Sequence, residues 1–271
     1  FLGADRRSQH VVPSQGQERV KTERALEALP AMKLKDQVAI VTGAASGIGA
    51  ATARLFAAEG AKIALVDLDE AGLAKVATEI GGDTLTVMAD VSSDEQARAG
   101  VARIMDKWGR IDVLVTAAGA SLGGTVDKID EATWDRTFAI NVKGTFLWVH
   151  HAIQPMIAAK SGAIVTLGSQ LAQSSLGNNV AYIASKGAIA SFTKTVAVDH
   201  ARQHRAQPGA GGHRAGGARL RHQRARRPQA FSPAIFQVLL DAGVRRQAVG
   251  GSRGGDQGDR HGSGSYVFML V

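Results

Sequence analysis

The chain has 271 residues, enough to bury a sizeable core, and its apolar fraction of 45% is ordinary for a globular protein. No apolar run approaches the ~18–20 residues of a membrane-spanning helix. No secretory signal pattern is found, and the absence of cysteine excludes disulfides and thiolate-bound metals. The net charge of +8 comes from residues 201–271, which hold 12 Arg, no Lys and three Asp. These features predict a cytoplasmic protein with a nearly neutral body.

Strand and helix patterns alternate from Met32 onward, after a polar stretch over residues 1–31 that predicts a disordered leader. Apolar runs without polar alternation predict parallel strands buried on both faces. These runs end at Thr42, Asp67, Asp90, Thr116 and Ser169. Helical patterns follow at about 47–59 and 70–80, from Ser92 with Glu95 as a capping box, and at about 131–158 and 180–203. The alternation predicts an α/β fold over residues 32–204: a Rossmann-type, doubly wound parallel sheet in a three-layer α/β/α arrangement.

The stretch TGAASGIG, from Thr42 to Gly49, lies where the first strand ends and the first helix begins. Glycines at such a turn let backbone amides approach a pyrophosphate at the positive end of the helix. Such turns are also common without a ligand, so the position of Asp67 at the end of the next strand matters. A carboxylate there accepts hydrogen bonds from both ribose hydroxyls and repels a 2′-phosphate. The pattern therefore predicts NAD as cofactor in preference to NADP.

A tyrosine and a lysine stand four residues apart in AYIASK, so that Tyr182 and Lys186 share one face of a helix. Ser169 precedes Tyr182 by 13 residues, and NVKGTF supplies Asn141. Taken singly, the Tyr–Lys spacing is typical of surface packing, and Ser169 and Asn141 are equally suited to local caps. Together, and behind the glycine turn, these motifs resemble the short-chain dehydrogenase/reductase family over about residues 33–204.

The resemblance implies that Asn141, Ser169, Tyr182 and Lys186 are catalytic. A phenol ordinarily has a pKa of about 10, and a nearby ammonium favours its phenolate, so Tyr182 would exchange the substrate proton with help from Lys186. Lys186 would also reach the ribose of the cofactor, Ser169 would donate to the substrate oxygen, and Asn141 would organise a water. The predicted cofactor-binding residues are Thr42, Gly43, Ser46, Gly47, Ile48, Gly49, Asp67, Asp90, Val91, Ala117, Ala118, Gly119, Tyr182 and Lys186. Ala117 departs from the family pattern, which often has asparagine there.

The segment over residues 205–271 is rich in Arg and Gly and shows neither the sixth strand nor the substrate-covering region that the family implies. We expect a shift of reading frame near codon 204. A genuine disordered tail and a nucleic-acid-binding tail are the alternatives, although aromatic residues for base stacking are missing between His204 and Ala230. Without a following strand, one edge of the sheet is predicted to be unpaired.

The sequence thus predicts an oxidoreductase that transfers a hydride between NAD and a secondary alcohol or its ketone, with a polyol, sugar or hydroxyacyl compound as substrate. A 3-oxoacyl thioester reductase is the alternative within enzymes. An inactive NAD-binding or misfolded product is the alternative outside them. We expect a small-molecule substrate, a homo-oligomer (dimer or tetramer), and neither a metal, a nucleic-acid partner nor a membrane.

Overall fold

The computed structural model describes residues 33–175, 177–203, 245–246 and 266–270. Its central sheet contains five parallel strands, in the order β3-β2-β1-β4-β5. They are β1 (Val38–Thr42), β2 (Lys62–Asp67), β3 (Thr84–Met88), β4 (Val113–Thr116) and β5 (Ala163–Leu167). The predicted leader and most of the Arg- and Gly-rich segment lie outside the described residues.

Helices alternate with these strands, as the sequence predicts. They are α1 (Gly47–Ala58), α2 (Glu70–Ile80), α3 (Asp94–Trp108), α4 (Glu131–Phe138), α5 (Gly144–Ala159), α6 (Leu171–Ser174) and α7 (Val180–Gln203). The predicted helix over 131–158 is interrupted by one π-helical turn, Ala139–Lys143. None of the described helices combines the length and the hydropathy needed to cross a membrane.

Two apolar clusters cover the two faces of the sheet. On one face, Phe56 of α1 and Leu73 of α2 pack on side chains such as Val41 and Leu65. On the other face, α3 and α5 contribute Ile104 and Trp148, which pack on side chains such as Ile40. Because every residue of β1, β4 and β5 is buried, these strands have no polar face. The three-layer Rossmann-type fold predicted from the sequence is confirmed.

The edge of the sheet beside β5 is paired, so the prediction of an open edge is wrong for the described residues. Strand β7 (Tyr266–Leu270) runs antiparallel to β5, with Ile164 opposite Leu270 and Leu167 opposite Val267. A two-residue strand, β6 (Arg245–Arg246), pairs with β7. The physical reason is that an apolar pentapeptide can satisfy the backbone of β5 in either direction.

The start of α3 also differs from the prediction. Ser93, one residue after the predicted cap Ser92, is the N-cap, and its hydroxyl accepts a 3.4 Å hydrogen bond from the Gln96 amide. The Ser92 hydroxyl instead donates to the Asp90 carboxylate at 2.7 Å, because that carboxylate lies two residues away in the preceding turn. The predicted capping box of Ser92 and Glu95 is therefore wrong. At α2, by contrast, Asp69 caps the helix by accepting from the Gly72 amide at 3.0 Å.

Candidate active site

The turn after β1 is shaped by glycines that have no room for a side chain. Gly43 has φ +69, and a β-carbon there would lie 2.7 Å from the Ala118 amide nitrogen. A β-carbon on Gly49 would overlap the Gly43 carbonyl. The turn therefore holds β1, the start of α1 and the end of β4 in direct backbone contact. That arrangement occurs at the topological switch point of the sheet, where such folds bind their ligands.

The positive end of α1 is open toward this switch point. Ser46 is the N-cap residue, but its side chain makes no capping hydrogen bond, and the first turn contains no acidic residue. Gly47 has φ +52, and a β-carbon on it would meet no atom within 4 Å. First-turn amides and the helix dipole favour an anion at such a position.

A groove of about 410 Å³ runs along the carboxyl ends of the strands. Of the predicted cofactor-binding residues, the groove is lined by Gly43, Ser46, Gly47, Ile48, Gly49, Asp67, Asp90, Val91, Ala117, Ala118 and Gly119. Ala89, which with Asp90 resembles the adenine contact of the family, lines it as well. Three further lining residues were not predicted: Leu68, Ala120 and Ile140. Each of them adjoins a predicted site residue in the chain, namely Asp67, Gly119 and Asn141.

Thr42, which the sequence analysis placed among the cofactor-binding residues, does not line the groove. It is buried, and its hydroxyl accepts a 3.2 Å hydrogen bond from the Ala118 amide. Since Thr42 and Thr116 are paired in the sheet, this bond fixes the start of the loop after β4, residues 117–130. The residue supports the wall of the groove from behind.

The Asp67 carboxylate is held by the turns on either side of it. One oxygen accepts from the Ala45 amide and the other from the Asp69 amide, both at 3.1 Å. These amides orient the carboxylate at the groove wall, where each oxygen keeps lone pairs for ligand hydroxyls. Asp90 is similarly engaged, because one of its oxygens accepts from the Ser92 amide at 2.8 Å. Asp90 therefore lines the groove and also stabilises the turn before α3.

Asn141 lies in the π-helical turn and is completely buried. Its side-chain oxygen accepts from the Ala120 amide at 2.7 Å, and its side-chain nitrogen donates to the Ala120 carbonyl at 2.9 Å. The same nitrogen donates to the Ser185 hydroxyl at 2.9 Å. The widened turn thus presents an amide that ties the loop after β4 to α7. Ser185 is a further residue that the sequence analysis did not single out.

Lys186 is buried on α7, with 6% of its surface exposed. Its amine donates a 2.8 Å hydrogen bond to the Leu167 carbonyl at the end of β5. Burial lowers the pKa of this amine to about 8, because taking an ammonium out of water disfavours the charged form. The Lys186 Nζ lies 5.6 Å from the centre of the Tyr182 ring. The predicted shared face of the helix is therefore present.

Ser169 follows β5 and is 7% exposed. Its hydroxyl oxygen accepts a 3.2 Å hydrogen bond from the Leu171 amide, at the start of α6. Because this bond uses only a lone pair, the hydroxyl proton remains available to a ligand oxygen.

The lysine is adjacent to the groove. A β-carbon built on Gly119, a groove residue, would lie 3.7 Å from the Lys186 Nζ and 3.4 Å from the Asn141 side-chain oxygen. Gly119 follows Ala118, which contacts the glycine turn. Tyr182 and Lys186, which were also predicted to bind the cofactor, do not line the groove themselves, but Gly119 brings the groove next to Lys186. The fold is of the Rossmann class, and this site lies at the switch point where folds of that class bind their ligands.

The family follows from the sequence match. The model of the family described as short chain dehydrogenase matches residues 37–209 of this chain, and the chain belongs to that family. The matched region agrees with the extent of the resemblance predicted from the motifs, about residues 33–204.

Similar proteins include dehydrogenases of small polyols. The chain is 39% identical over 170 residues to D-threitol dehydrogenase of Mycolicibacterium smegmatis, a match that covers 62% of this chain and 65% of that protein. It is 40% identical over 169 residues to NAD-dependent glycerol dehydrogenase of Listeria innocua, covering 62% of this chain and 66% of that one. The chain thus spans slightly less than two thirds of the length of these relatives.

A similar solved structure is that of 3-ketoacyl-(acyl-carrier-protein) reductase from Brucella melitensis, complexed with NADH. The two chains are 33% identical, with a TM-score of 0.60, and the match covers 62% of this chain and 72% of that one. The family description thus names dehydrogenases, and this solved neighbour is a reductase complexed with NADH.

Proposed function

We propose that this protein is an NAD-dependent dehydrogenase that oxidises a secondary alcohol of a small polyol. The observation that carries the proposal is the position of a buried amine, Lys186, close to the Tyr182 ring and to a residue of the groove, Gly119. Lysine is rarely buried unless it has a functional or structural role, because its charged form loses hydration in the protein interior. The names of the threitol and glycerol dehydrogenases support a polyol as substrate.

The groove fits the proposed cofactor. A side chain at position 43 or 49 would clash with the backbone of the groove wall, whereas Gly47 faces open space. The uncapped start of α1 suits the pyrophosphate, and the Asp67 carboxylate suits the adenosine ribose. A bound NAD would supply the acceptor for the hydride that leaves the alcohol carbon.

Four side chains would handle the proton and orient the alcohol. Tyr182 would accept the hydroxyl proton of the alcohol as the hydride leaves, and the Lys186 ammonium would stabilise the phenolate form of Tyr182. Ser169 would donate its free hydroxyl proton to the substrate oxygen and hold it toward Tyr182. Lys186 would also donate to the ribose hydroxyls of the cofactor.

Asn141 would contribute by position. Its side-chain hydrogen bonds go to Ala120 and Ser185, which supports a role in holding the loop after β4 against α7. The water relay that the family resemblance implies for this residue stays a prediction.

A second candidate, a 3-oxoacyl thioester reductase, is favoured by the likeness to the reductase of Brucella melitensis. Calorimetric titration with NADH and NADPH, followed by steady-state assays on a polyol panel and on an acyl thioester, separates the candidates. We expect tighter binding of NADH than of NADPH, and oxidation of a polyol. Turnover of the thioester alone would favour the second candidate. Binding of NADH without turnover would favour an inactive NAD-binding protein, and absence of binding a misfolded product.

We further propose a homo-oligomer that pairs α5 and α7 of neighbouring copies. Phe146 and Ile157 on α5 and Val198 on α7 are large apolar side chains that are exposed in the single chain. Light scattering coupled to gel filtration measures the mass directly, and a monomeric mass would contradict this proposal. The absence of cysteine suits a cytoplasmic location, which we propose on that ground.

A further inference from the structure

The loop after β4 makes a second set of contacts with α7, outside the four proposed catalytic residues. Gly124 forms a parallel bridge with Asn179, immediately before the first residue of α7. The Gly124 amide donates to the Asn178 carbonyl at 3.0 Å, and the Val180 amide donates to the Gly124 carbonyl at 3.1 Å. The middle of the loop is thus joined to the helix that carries Tyr182.

Side chains reinforce this junction. The Asn179 side-chain nitrogen donates a 2.9 Å hydrogen bond to the Ser121 hydroxyl, and that hydroxyl also lies 3.3 Å from the Asn179 side-chain oxygen. We call the pair of side chains, Ser121 and Asn179, the loop clamp. Since the two residues are 58 apart in the chain, the bond is a long-range tertiary contact.

The direction of the Asn179 side chain is informative. The Asn179 carbonyl accepts from the Ile183 amide at 3.0 Å, which places the residue at the N-cap position of α7. An asparagine at that position usually directs its side chain to amides of its own first turn. Here the side chain binds Ser121 instead. The local cap is given up for a contact that relates the helix to the loop.

The loop is therefore held at two points that bracket Tyr182. Asn179, three residues before the tyrosine, holds the loop through Ser121. Ser185, three residues after the tyrosine, holds it through Asn141, which in turn binds Ala120. Ala120 lines the groove. A shift of the loop relative to α7 would change the distance between Tyr182 and a ligand bound against Ala120.

We propose that Ser121 and Asn179 are positioning residues that set the distance between Tyr182 and the reacting carbon. This inference rests on the proposed function, because it assumes that Tyr182 exchanges the substrate proton. The Ser121 side chain is exposed and Asn179 is half-buried, so the clamp contributes little to folding. Its effect falls on the rate, because a displacement of about 1 Å at a reacting group costs on the order of a hundredfold.

The test uses Ser121→Ala, Asn179→Ala and the double variant in the full chain. We expect each single variant to lower kcat about tenfold to hundredfold, while the Kd for NADH by fluorescence changes less than about twofold. The double variant is expected to lose no more than the worse single variant, because both remove the same contact. Ser121→Thr keeps the hydroxyl and is expected to retain most of the rate.

Ser174→Ala is the matched control. Ser174 is an exposed serine whose hydroxyl bonds to the Gln170 carbonyl of its own turn, at 3.3 Å, and its removal is expected to leave kcat unchanged. The proposal is overturned if the clamp variants keep wild-type kcat or act additively. It is also overturned if kcat, NADH affinity and thermal midpoint fall together, which would indicate a structural role only.

A readout without turnover separates this inference from the proposed function. If the wild type oxidises no alcohol, the proposed function fails by itself. Amide hydrogen exchange with NADH bound then tests the clamp: Asn179→Ala is expected to speed exchange at the Gly124 and Ile183 amides at least about tenfold. Unchanged exchange at both amides would overturn the inference.

Discussion

The two ends of the site are built in different ways. The groove end is lined mainly by glycine, alanine and apolar side chains such as Ile48 and Leu68, together with the carboxylates of Asp67 and Asp90. The other end is built from buried polar side chains, with Asn141 and Ser185 fully buried and Lys186 and Ser169 nearly so. The groove end thus suits recognition through amides and shape. The polar end suits the movement of a proton.

The difference has an energetic consequence. Gly43 and Gly49 bring no polar side chain that would need a hydrogen-bond partner, and the backbone around them is close-packed. Burial, in contrast, lowers the pKa of Lys186 from 10.5 to about 8. At neutral pH this shift lowers the free energy of unfolding by about 3 kcal/mol. The polar end therefore reduces the stability of the fold and is retained for its chemistry.

The strongest test of this contrast is Lys186→Met. We expect kcat to fall about 10²–10⁴-fold, because the phenolate loses its ammonium. We also expect the free energy of unfolding at pH 7 to rise by about 1–3 kcal/mol, since the buried charge is removed while the Leu167 carbonyl loses a partner. Urea unfolding measures the second effect, and Lys194→Met, exposed on the same helix, is the control. A less stable Lys186→Met at pH 7 would contradict the account.

The same lysine gives a pH dependence with a definite sign. Its pKa in the folded state, about 8, lies below the ordinary value of 10.5, so the unfolded chain holds more protons between these values. The free energy of unfolding is therefore expected to rise with pH across that window. Urea unfolding at several pH values should show this rise in the wild type and its loss in Lys186→Met. An equal rise in both proteins would assign it to other groups.

At the groove end, Gly49→Ala should lower both stability and NADH affinity, whereas Gly187→Ala should lower neither. The β-carbon on Gly49 would overlap the Gly43 carbonyl, so we expect a loss of about 1–3 kcal/mol or more in stability and of at least about tenfold in NADH affinity. A β-carbon on Gly187 meets no atom within 4 Å, and alanine in that helix is expected to gain about 0.5–1 kcal/mol. Thermal unfolding and NADH titration measure both. Tolerance of Gly49→Ala would mean that the turn is not close-packed.

The smallest expected effect concerns the cofactor. Asp67→Ser removes a carboxylate that would repel a 2′-phosphate, and such repulsion costs several kcal/mol when charges are close. We expect the ratio of kcat/KM for NADP to that for NAD to rise at least about tenfold. Asp69→Ser is the control, because serine can still cap α2. An unchanged ratio in Asp67→Ser would show that the groove does not discriminate through this residue.

The sequence predicted the groove end better than the polar end. Glycines such as Gly43 and Gly49 indicate a tight turn by their residue type alone, and uninterrupted apolar runs predict the strands. The contacts of Asn141 and Ser185 were out of reach, because they depend on a π-helical turn and on a distance between two segments 44 residues apart. The capping box at Ser92 failed because the neighbouring Asp90 competes for its hydroxyl. Strand β7 was missed because residue type indicates an apolar strand but gives no direction of pairing.

We propose above all that Tyr182 exchanges a proton with a substrate held beside the groove, while most contacts to the cofactor come from the groove. A single-turnover experiment tests it: wild type and Tyr182→Phe are loaded with NAD and mixed with a polyol that the wild type oxidises. We expect Tyr182→Phe to bind NADH with nearly wild-type affinity and to form it about 10²–10⁴-fold more slowly. A Tyr182→Phe variant that forms NADH at the wild-type rate would contradict the claim.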